Sequence, residues 1–215
     1  MNGAGGELAE RVRDAVLAAI YRKYGVRYVP VAISNRHAHL CREDVEALFG
    51  SGYALTPVKP LSQPGQFAAK ETVTLVGPRG KIENVRVLGP ERDKTQVEIS
   101  VTDSYRLGIN PVVRMSGDVA GSPGARLETP GGAVVLTCGV IVAARHLHIS
   151  DSQAAEMGFF DGQVITLQTS GIRGAVLKNV VVRSGAEYRM EAHLDLDEAN
   201  AAFLKNGDAM EAVTG

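Results

Sequence analysis

The sequence predicts a mainly β protein of two β-barrel domains, with short capping helices and one amphipathic helix at the N-terminus. Beyond residue 29 the chain breaks into short segments rich in Val, Ile and Thr, separated by Gly and Pro. Short strands in such number leave exposed edges unless they close, and closure into barrels removes those edges. A motif also occurs twice, as Val31-Ala-Ile-Ser-Asn-Arg-His-Ala-His-Leu40 and Val140-Ile-Val-Ala-Ala-Arg-His-Leu-His-Ile149, with His37 and His146 separated by 109 residues. One repeat of that length points to two related halves, because a solenoid needs shorter and more numerous repeats.

The elements follow in chain order. After Gly3, Gly5 and Gly6, residues 7–23 place Leu8, Val12, Val16, Leu17 and Ile20 at helical spacing with charges largely on the other side. Such a helix either docks on its own domain or a dimer partner, or acts as a detachable targeting or co-assembly segment. It is not a secretory signal, since the apolar stretch 16–20 is short and flanked by Glu7, Glu10, Arg11, Arg13, Asp14, Arg22 and Lys23. Residues 24–28 lead into Pro30. Strands are expected over 71–76, 82–88, 96–101, 133–136, 140–144, 163–169, 175–183 and 188–194, with a turn at Gly77-Pro78-Arg79-Gly80. Each copy of the repeat runs into a polar, cap-like stretch and a short helix ending near a glycine, Gly50 or Gly158.

Composition excludes several classes of function. The 215 residues carry 23 basic and 24 acidic side chains, a net charge of −1, so no global field draws the chain to nucleic acid or to an anionic membrane. Aromatic residues make up 5%, too few to interleave with the basic ones as a base-stacking platform. No apolar run approaches the roughly 20 residues of a spanning helix. Cys41 and Cys138 are too few for a disulfide scaffold and fit reduced thiols in a reducing compartment. The phosphate-binding Gly-x-x-x-x-Gly-Lys loop, the His-Glu-x-x-His protease motif and the Gly-x-Ser-x-Gly elbow are all missing.

The chemistry lies in the five histidines, His37, His39, His146, His148 and His193. In an extended segment, residues at i and i+2 share a face, so each His-x-His can aim two imidazoles at one point. Imidazole is a neutral, borderline-soft nitrogen ligand suited to zinc and its neighbours. Two such pairs inside a repeat, each preceded by an arginine, Arg36 or Arg145, point to metal binding. Five imidazoles exceed the three protein ligands of one catalytic zinc, so two neighbouring metals are expected. His193, at the end of a strand, can complete one site, and Glu98 in Gln96-Val-Glu-Ile-Ser-Val101 is the candidate carboxylate. Lys59, Lys70, Arg86, Arg92 and Lys94 fall between the two His pairs, around Leu61-Ser-Gln-Pro-Gly-Gln66, and indicate an anionic substrate bearing phosphate or carboxylate.

Five segments in order carry a family resemblance: Ser34-Asn-Arg-His-Ala-His39, Leu61-Ser-Gln-Pro-Gly-Gln-Phe-Ala-Ala-Lys70, Thr95-Gln-Val-Glu-Ile-Ser100, Val142-Ala-Ala-Arg-His-Leu-His148 and Met190-Glu-Ala-His-Leu-Asp-Leu-Asp-Glu-Ala-Asn200. Over residues 29–202 the chain resembles the phosphate propanoyltransferases of the propanediol-utilisation microcompartment type. The resemblance implies two zinc ions in an active site between two barrels, with His37, His39, Glu98, His146, His148 and His193 as ligands and Arg92 as the phosphate-binding arginine. It places Ser34, Lys59, Arg86, Leu88, His193 and Asn200 at the coenzyme A site, and implies a homodimer in which Tyr105 reaches the neighbour's CoA. The barrels it implies are interleaved: residues 1–25 form the helix, 26–35 with 144–213 one barrel, and 36–143 the other, including an insertion near 50–70 by the active site. The N-terminal helix then fits a segment that directs the enzyme to shell or cargo proteins in a bacterial microcompartment, within the cytoplasm.

The expected reaction is exchange of a short acyl group, propanoyl or acetyl, between CoA and phosphate, with phosphate attacking the thioester directly. One zinc, held in part by His37 and His39, would stabilise the departing thiolate. The other, held by Glu98, His146, His148 and His193, would act on the carbonyl. Cys41 is the obvious candidate for an acyl-enzyme but has no counterpart among the matched motifs. Two alternatives stay open: a metal-dependent thioester hydrolase, and a non-catalytic zinc-stabilised assembly module.

Overall fold

The structure is a computed structural model that describes residues 3–214. Its chain order is α1 (Gly3–Tyr24), β1 (Tyr28–Ser34), β2 (His37–His39), α2 (Arg42–Phe49), β3 (Pro57–Pro60), β4 (Phe67–Val76), β5 (Lys81–Gly89) and β6 (Gln96–Glu98). There follow α3 (Val101–Leu107), β7 (Val113–Arg114), β8 (Ala125–Thr129), β9 (Gly132–Leu136), β10 (Val140–Ala143) and β11 (His146–Ile149). The chain ends with α4 (Asp151–Met157), β12 (Val164–Gln168), β13 (Val176–Ser184), β14 (Glu191–Asp195), α5 (Leu196–Ala202) and β15 (Ala209–Val213). The mainly β class and the N-terminal helix are as the sequence predicts.

The chain forms two compact units, one from the residues up to Ile33 with Arg145–Leu194 and the segment from Glu198 onward, the other from Ser34–Ala144 with Asp195–Asp197. In the first unit six strands close into a barrel in the order β1-β14-β11-β13-β12-β15. Its interior holds Val29, Val31, Leu147, Ile149, Ile165, Leu167, Val180 and Val182, all but excluded from water. Burying a side chain of this size stabilises the fold by about 1.5–3 kcal/mol. α1 docks on this core through Leu17 and Tyr21, and ion pairs join Arg189 to Glu10 and Arg22 to Glu156. Leu8, Val12 and Val16, one helical stripe, stay exposed.

The second unit is a nine-stranded sheet ordered β7-β10-β6-β2-β5-β4-β8-β9, with β3 added beside β4. In the β4–β5 hairpin the Gly77 N–H bonds the Gly80 carbonyl at 2.9 Å. Ala69, Glu71, Val73 and Leu75 alternate inward along β4, the period-2 pattern of a strand with one buried face.

The strand expected over 96–101 ends at Glu98, and helix α3 begins three residues later. Ser100 caps it, accepting from the Asp103 N–H, while the Asp103 carboxylate accepts from the Ser100 N–H. The reciprocal pair satisfies two donors that the first helical turn leaves over, which outweighs the strand preference of the β-branched Ile99, Val101 and Thr102. The glycines expected to stop the helices after each His pair do so: Gly50 follows α2, and Gly158 ends α4 with φ 70°, a left-handed conformation that costs glycine little.

Candidate active site

In the second unit, β2 carries His37 and His39 on one face. β5 runs parallel beside it with Arg86 opposite His37, and β6 runs antiparallel with Glu98 opposite His37 and Gln96 opposite His39. Opposed residues share a face of a sheet. Arg86, Leu88, His37, His39, Gln96 and Glu98 therefore project from one side. Lys59 joins the same face, since it opposes Ala68 on β4, which opposes Leu88 on β5.

The two rings differ in their hydrogen bonding. His37 Nδ1 lies 2.8 Å from the Asn35 carbonyl, which only accepts, so Nδ1 donates there and Nε2 is the ring atom left for a metal. Nε2 is 3.5 Å from Glu98 Oε2. His39 is buried, and its Nδ1 has no hydrogen-bond partner among the described residues. Burial, with help from the His37 ring and the positive charge of Arg92, lowers the His39 pKa to about 2, against a hydrogen bond to the Leu88 backbone. A buried ring nitrogen kept unprotonated and unpaired costs free energy that a coordinated cation offsets. One ligand atom each from His37, His39 and Glu98 lies within 4.8 Å of the others.

The first unit repeats the pattern. β11 carries His146 and His148, with β13 parallel beside it and β14 antiparallel, so that His193 opposes His146 and Glu191 opposes His148. The His146 and His193 rings stack 4.7 Å apart, and His148 Nδ1 is 3.2 Å from His193 Nε2. Burial, then His146 and Arg183, lowers the His148 pKa to about 3. Ligand atoms of these three histidines again lie within 4.8 Å of one another. Two imidazoles with a carboxylate, and three imidazoles, are the donor sets of catalytic zinc sites that keep a position open, so both groups fit zinc.

Glu98 stands with His37 and His39 in the second unit, not with the second His pair as the sequence leads one to expect. Arg92 follows the cis Gly89–Pro90 bond; its N–H bonds the Leu40 carbonyl at 2.9 Å, and its Nη1 donates to Ser116 Oγ at 3.1 Å. Arg86 and Lys59 are exposed and Leu88 half-buried, with Arg86 Nη1 donating to the Ala69 carbonyl at 2.8 Å and the Lys70 carbonyl at 3.1 Å. Ser34 is half-buried at the end of β1, Asn200 is exposed on α5, and Tyr105 on α3 is 74% exposed.

Three features escaped sequence reasoning. The Asn35 carbonyl orients His37, and Gln96 sits beside Glu98. The arginine before each His pair bonds the third residue of a helix, Arg36 to Asp103 of α3 and Arg145 to Glu198 of α5. Repetition of Arg in both motifs was the available signal for the last.

Comparison with known proteins decides the family. The family model for phosphate propanoyltransferase matches residues 30–205. The chain belongs to the phosphate propanoyltransferase family. It is 53% identical over 184 residues to the phosphate propanoyltransferase of Thermotoga maritima, covering 85% of this chain and 88% of the relative. It is 51% identical to that of Rhodobacter capsulatus over 86% of each chain. With that of Salmonella typhimurium the identity is 46%, over 88% of this chain and 90% of the relative. Membership makes it an acyltransferase enzyme. Among the described residues, no helix is long and apolar enough to cross a membrane.

Proposed function

We propose that this phosphate propanoyltransferase family member interconverts a short-chain acyl-CoA plus phosphate with acyl phosphate plus CoA, acting on propanoyl-CoA and also on acetyl-CoA. Two zinc ions would be held by His37, His39 and Glu98 and by His146, His148 and His193. The observation that carries the reading is the unpaired, buried His39 Nδ1, close enough to the Arg92 charge for it to depress the ring's pKa. Metal ligands and an anion-binding guanidinium in one place are what joining phosphate to a thioester carbonyl requires.

Zinc bound to these groups would supply Lewis acidity for negative charge on the carbonyl oxygen and on the departing thiolate. Arg92 binds phosphate and holds it for attack, which converts an encounter in solution into a positioned reaction. Arg86 and Lys59, exposed on the same sheet face, are suited to the phosphates of CoA, with Ser34, Leu88, His193 and Asn200 at the rest of that molecule. Cys41 is a poor nucleophile: burial, the largest influence, raises its thiol pKa, so the thiolate is scarce. Phosphate attacks directly, its oxygen forming the new bond to the carbonyl carbon while the carbon–sulfur bond breaks.

The same reading takes the protein as a homodimer in the lumen of a propanediol-degrading microcompartment. The exposed Leu8, Val12 and Val16 of α1 would meet shell or cargo proteins; deleting residues 1–25 should then abolish co-sedimentation with shells while activity persists.

The deciding experiment is release of CoA thiol from propanoyl-CoA, with and without phosphate, before and after metal removal. Release that needs both supports the transferase. Metal-dependent release without phosphate would identify a hydrolase, and no release from metal-loaded protein an assembly module. Arg92→Ala should raise the KM for phosphate about 10–100-fold, the loss of a charge-assisted hydrogen bond, with zinc content unchanged. Unaltered phosphate kinetics would remove Arg92 from this role.

A further inference from the structure

Gln96 is 2% exposed, and each polar position of its side chain is engaged. Its Oε1 accepts the Gly117 N–H at 2.7 Å, and its Nε2 donates to Glu98 Oε1 at 2.7 Å and to Ser116 Oγ at 2.9 Å. The amide has one sensible orientation. A carboxylate accepts and a backbone N–H donates, so the reversed amide would set oxygen against oxygen and N–H against N–H. Gln96 thereby fixes Glu98, whose other oxygen faces His37.

Ser116 Oγ receives two donors, Gln96 Nε2 and Arg92 Nη1. A hydroxyl has two lone pairs and one proton. With both lone pairs engaged, what remains is the proton, and the described residues offer it no acceptor. Ser116 is half-buried, so a ligand held at Arg92 is within its reach.

We propose that Gln96 is a positioning residue that orients Glu98 within the metal-ligand group and turns Ser116 into a hydrogen-bond donor to the phosphate bound at Arg92. The phosphate arm rests on the reading of Arg92 given above. Phosphate oxygens carry the charge and accept, so Ser116 O–H and the Arg92 guanidinium make a matched pair of donors. One amide thus ties the nucleophile's site to the carboxylate of the metal group.

The test uses the full-length, zinc-loaded protein and the variants Ser116→Ala, Ser116→Thr and Gln96→Leu, each confirmed folded by thermal melting. Ser116→Ala should raise the KM for phosphate about tenfold while the KM for propanoyl-CoA and the zinc content stay fixed. Ser116→Thr, which keeps the hydroxyl, should restore most of the loss. Gln96→Leu should raise the phosphate KM comparably and weaken zinc binding about 10–100-fold, read by competition with a chromogenic chelator in the absence of substrate. Unchanged phosphate KM in Ser116→Ala overturns the proposal, as does a folded Gln96→Leu with undiminished zinc affinity. If Gln96→Leu does not fold, the two Ser116 variants decide. If the parent protein releases CoA without phosphate, the transferase reading and the Ser116 arm fall together, while the zinc measurement still decides whether Gln96 positions Glu98.

Discussion

The two copies of the repeat are alike well beyond their His-x-His motifs, and they differ at the third member of each candidate ligand group. In each, the His strand has a parallel neighbour on one side and an antiparallel one on the other, β5 and β6 around β2, β13 and β14 around β11. In each, the residue opposite the first histidine completes the ligand group. The arginine before the pair then reaches the helix that follows the antiparallel strand. The completing residue is Glu98 in one copy and His193 in the other. A carboxylate cancels part of a dication's charge where imidazole does not, so with zinc bound the Glu98 group would hold it more tightly and the His193 group would leave it the stronger Lewis acid. Like scaffolds with unlike ligands imply a division of labour between the two positions.

The largest expected effect tests whether that division exists. Stripping zinc should lower kcat by about a thousandfold or more, as loss of several kcal/mol of charge stabilisation implies, and adding zinc should restore it. Glu98→His, which gives both groups three imidazoles, should keep two zinc ions yet lower kcat about 10–100-fold. Full activity in that variant would show that the two groups are interchangeable.

A smaller effect should appear in the metal-free protein as pH falls. His39 and His148 have folded pKa values lowered to about 3 or below from an ordinary value of 6.5. Below about pH 6.5 the unfolded chain therefore binds protons that the folded one does not. Stability is intact above that pH and declines beneath it, by up to about 1.4 kcal/mol per pH unit for each group. Thermal midpoints of zinc-free protein between pH 7 and 5 should fall, and His39→Asn should flatten the slope. A flat profile for the parent protein would mean that the burial of these rings is relieved without metal.

The His pairs were legible in the sequence because two-residue periodicity is local: His37 and His39 must share a face if the segment is extended. Glu98 was less legible, since its alternating run fits a solvated strand face equally well and its place opposite His37 depends on strand register. The strand over 163–169 and that over 175–183 were legible from β-branched residues between turn signals, whereas β3, β8 and β15, with their Pro, Lys, Arg and Glu residues, gave no such signal. What stayed hidden is long-range. Arg36 finds Asp103 across 67 positions, and Ser116 finds Gln96 across 20. Those meetings join a bend to a helix and a turn to a strand, and no local pattern contains them. α3 is a different failure, since Ser100 and Asp103 spell a capping box that the β-branched Ile99, Val101 and Thr102 obscured.

The ion pairs offer a finer comparison. Asp103 is almost wholly buried and also serves the cap of α3, while Glu198 is more exposed. Arg36→Ala should cost about 1–2 kcal/mol, near the cost of stranding a buried charged partner after allowing for the half-exposed guanidinium. That lowers Tm by about 3–6 °C in a chain of this size. Arg145→Ala should cost about half as much. Equal losses would mean that neither burial nor the cap sets the value of the pair.

The smallest effect concerns the residue that follows each repeat. Cys41 and Ser150 hold equivalent places, each the N-cap of a short helix, but Ser150 accepts the Gln153 N–H while the Cys41 thiol makes no capping bond. Cys41→Ser transplants the better cap into the first copy. Oxygen is the stronger acceptor, so α2 should gain about 0.5–1 kcal/mol, a rise in Tm of roughly 1–4 °C. With direct attack by phosphate, kcat should change less than about twofold. The two readouts separate cleanly: a serine that stabilises the helix and leaves turnover intact makes Cys41 a cap, whereas loss of turnover in a stabilised protein would return the acyl-enzyme route to consideration, since an alcohol cannot replace a thiolate there.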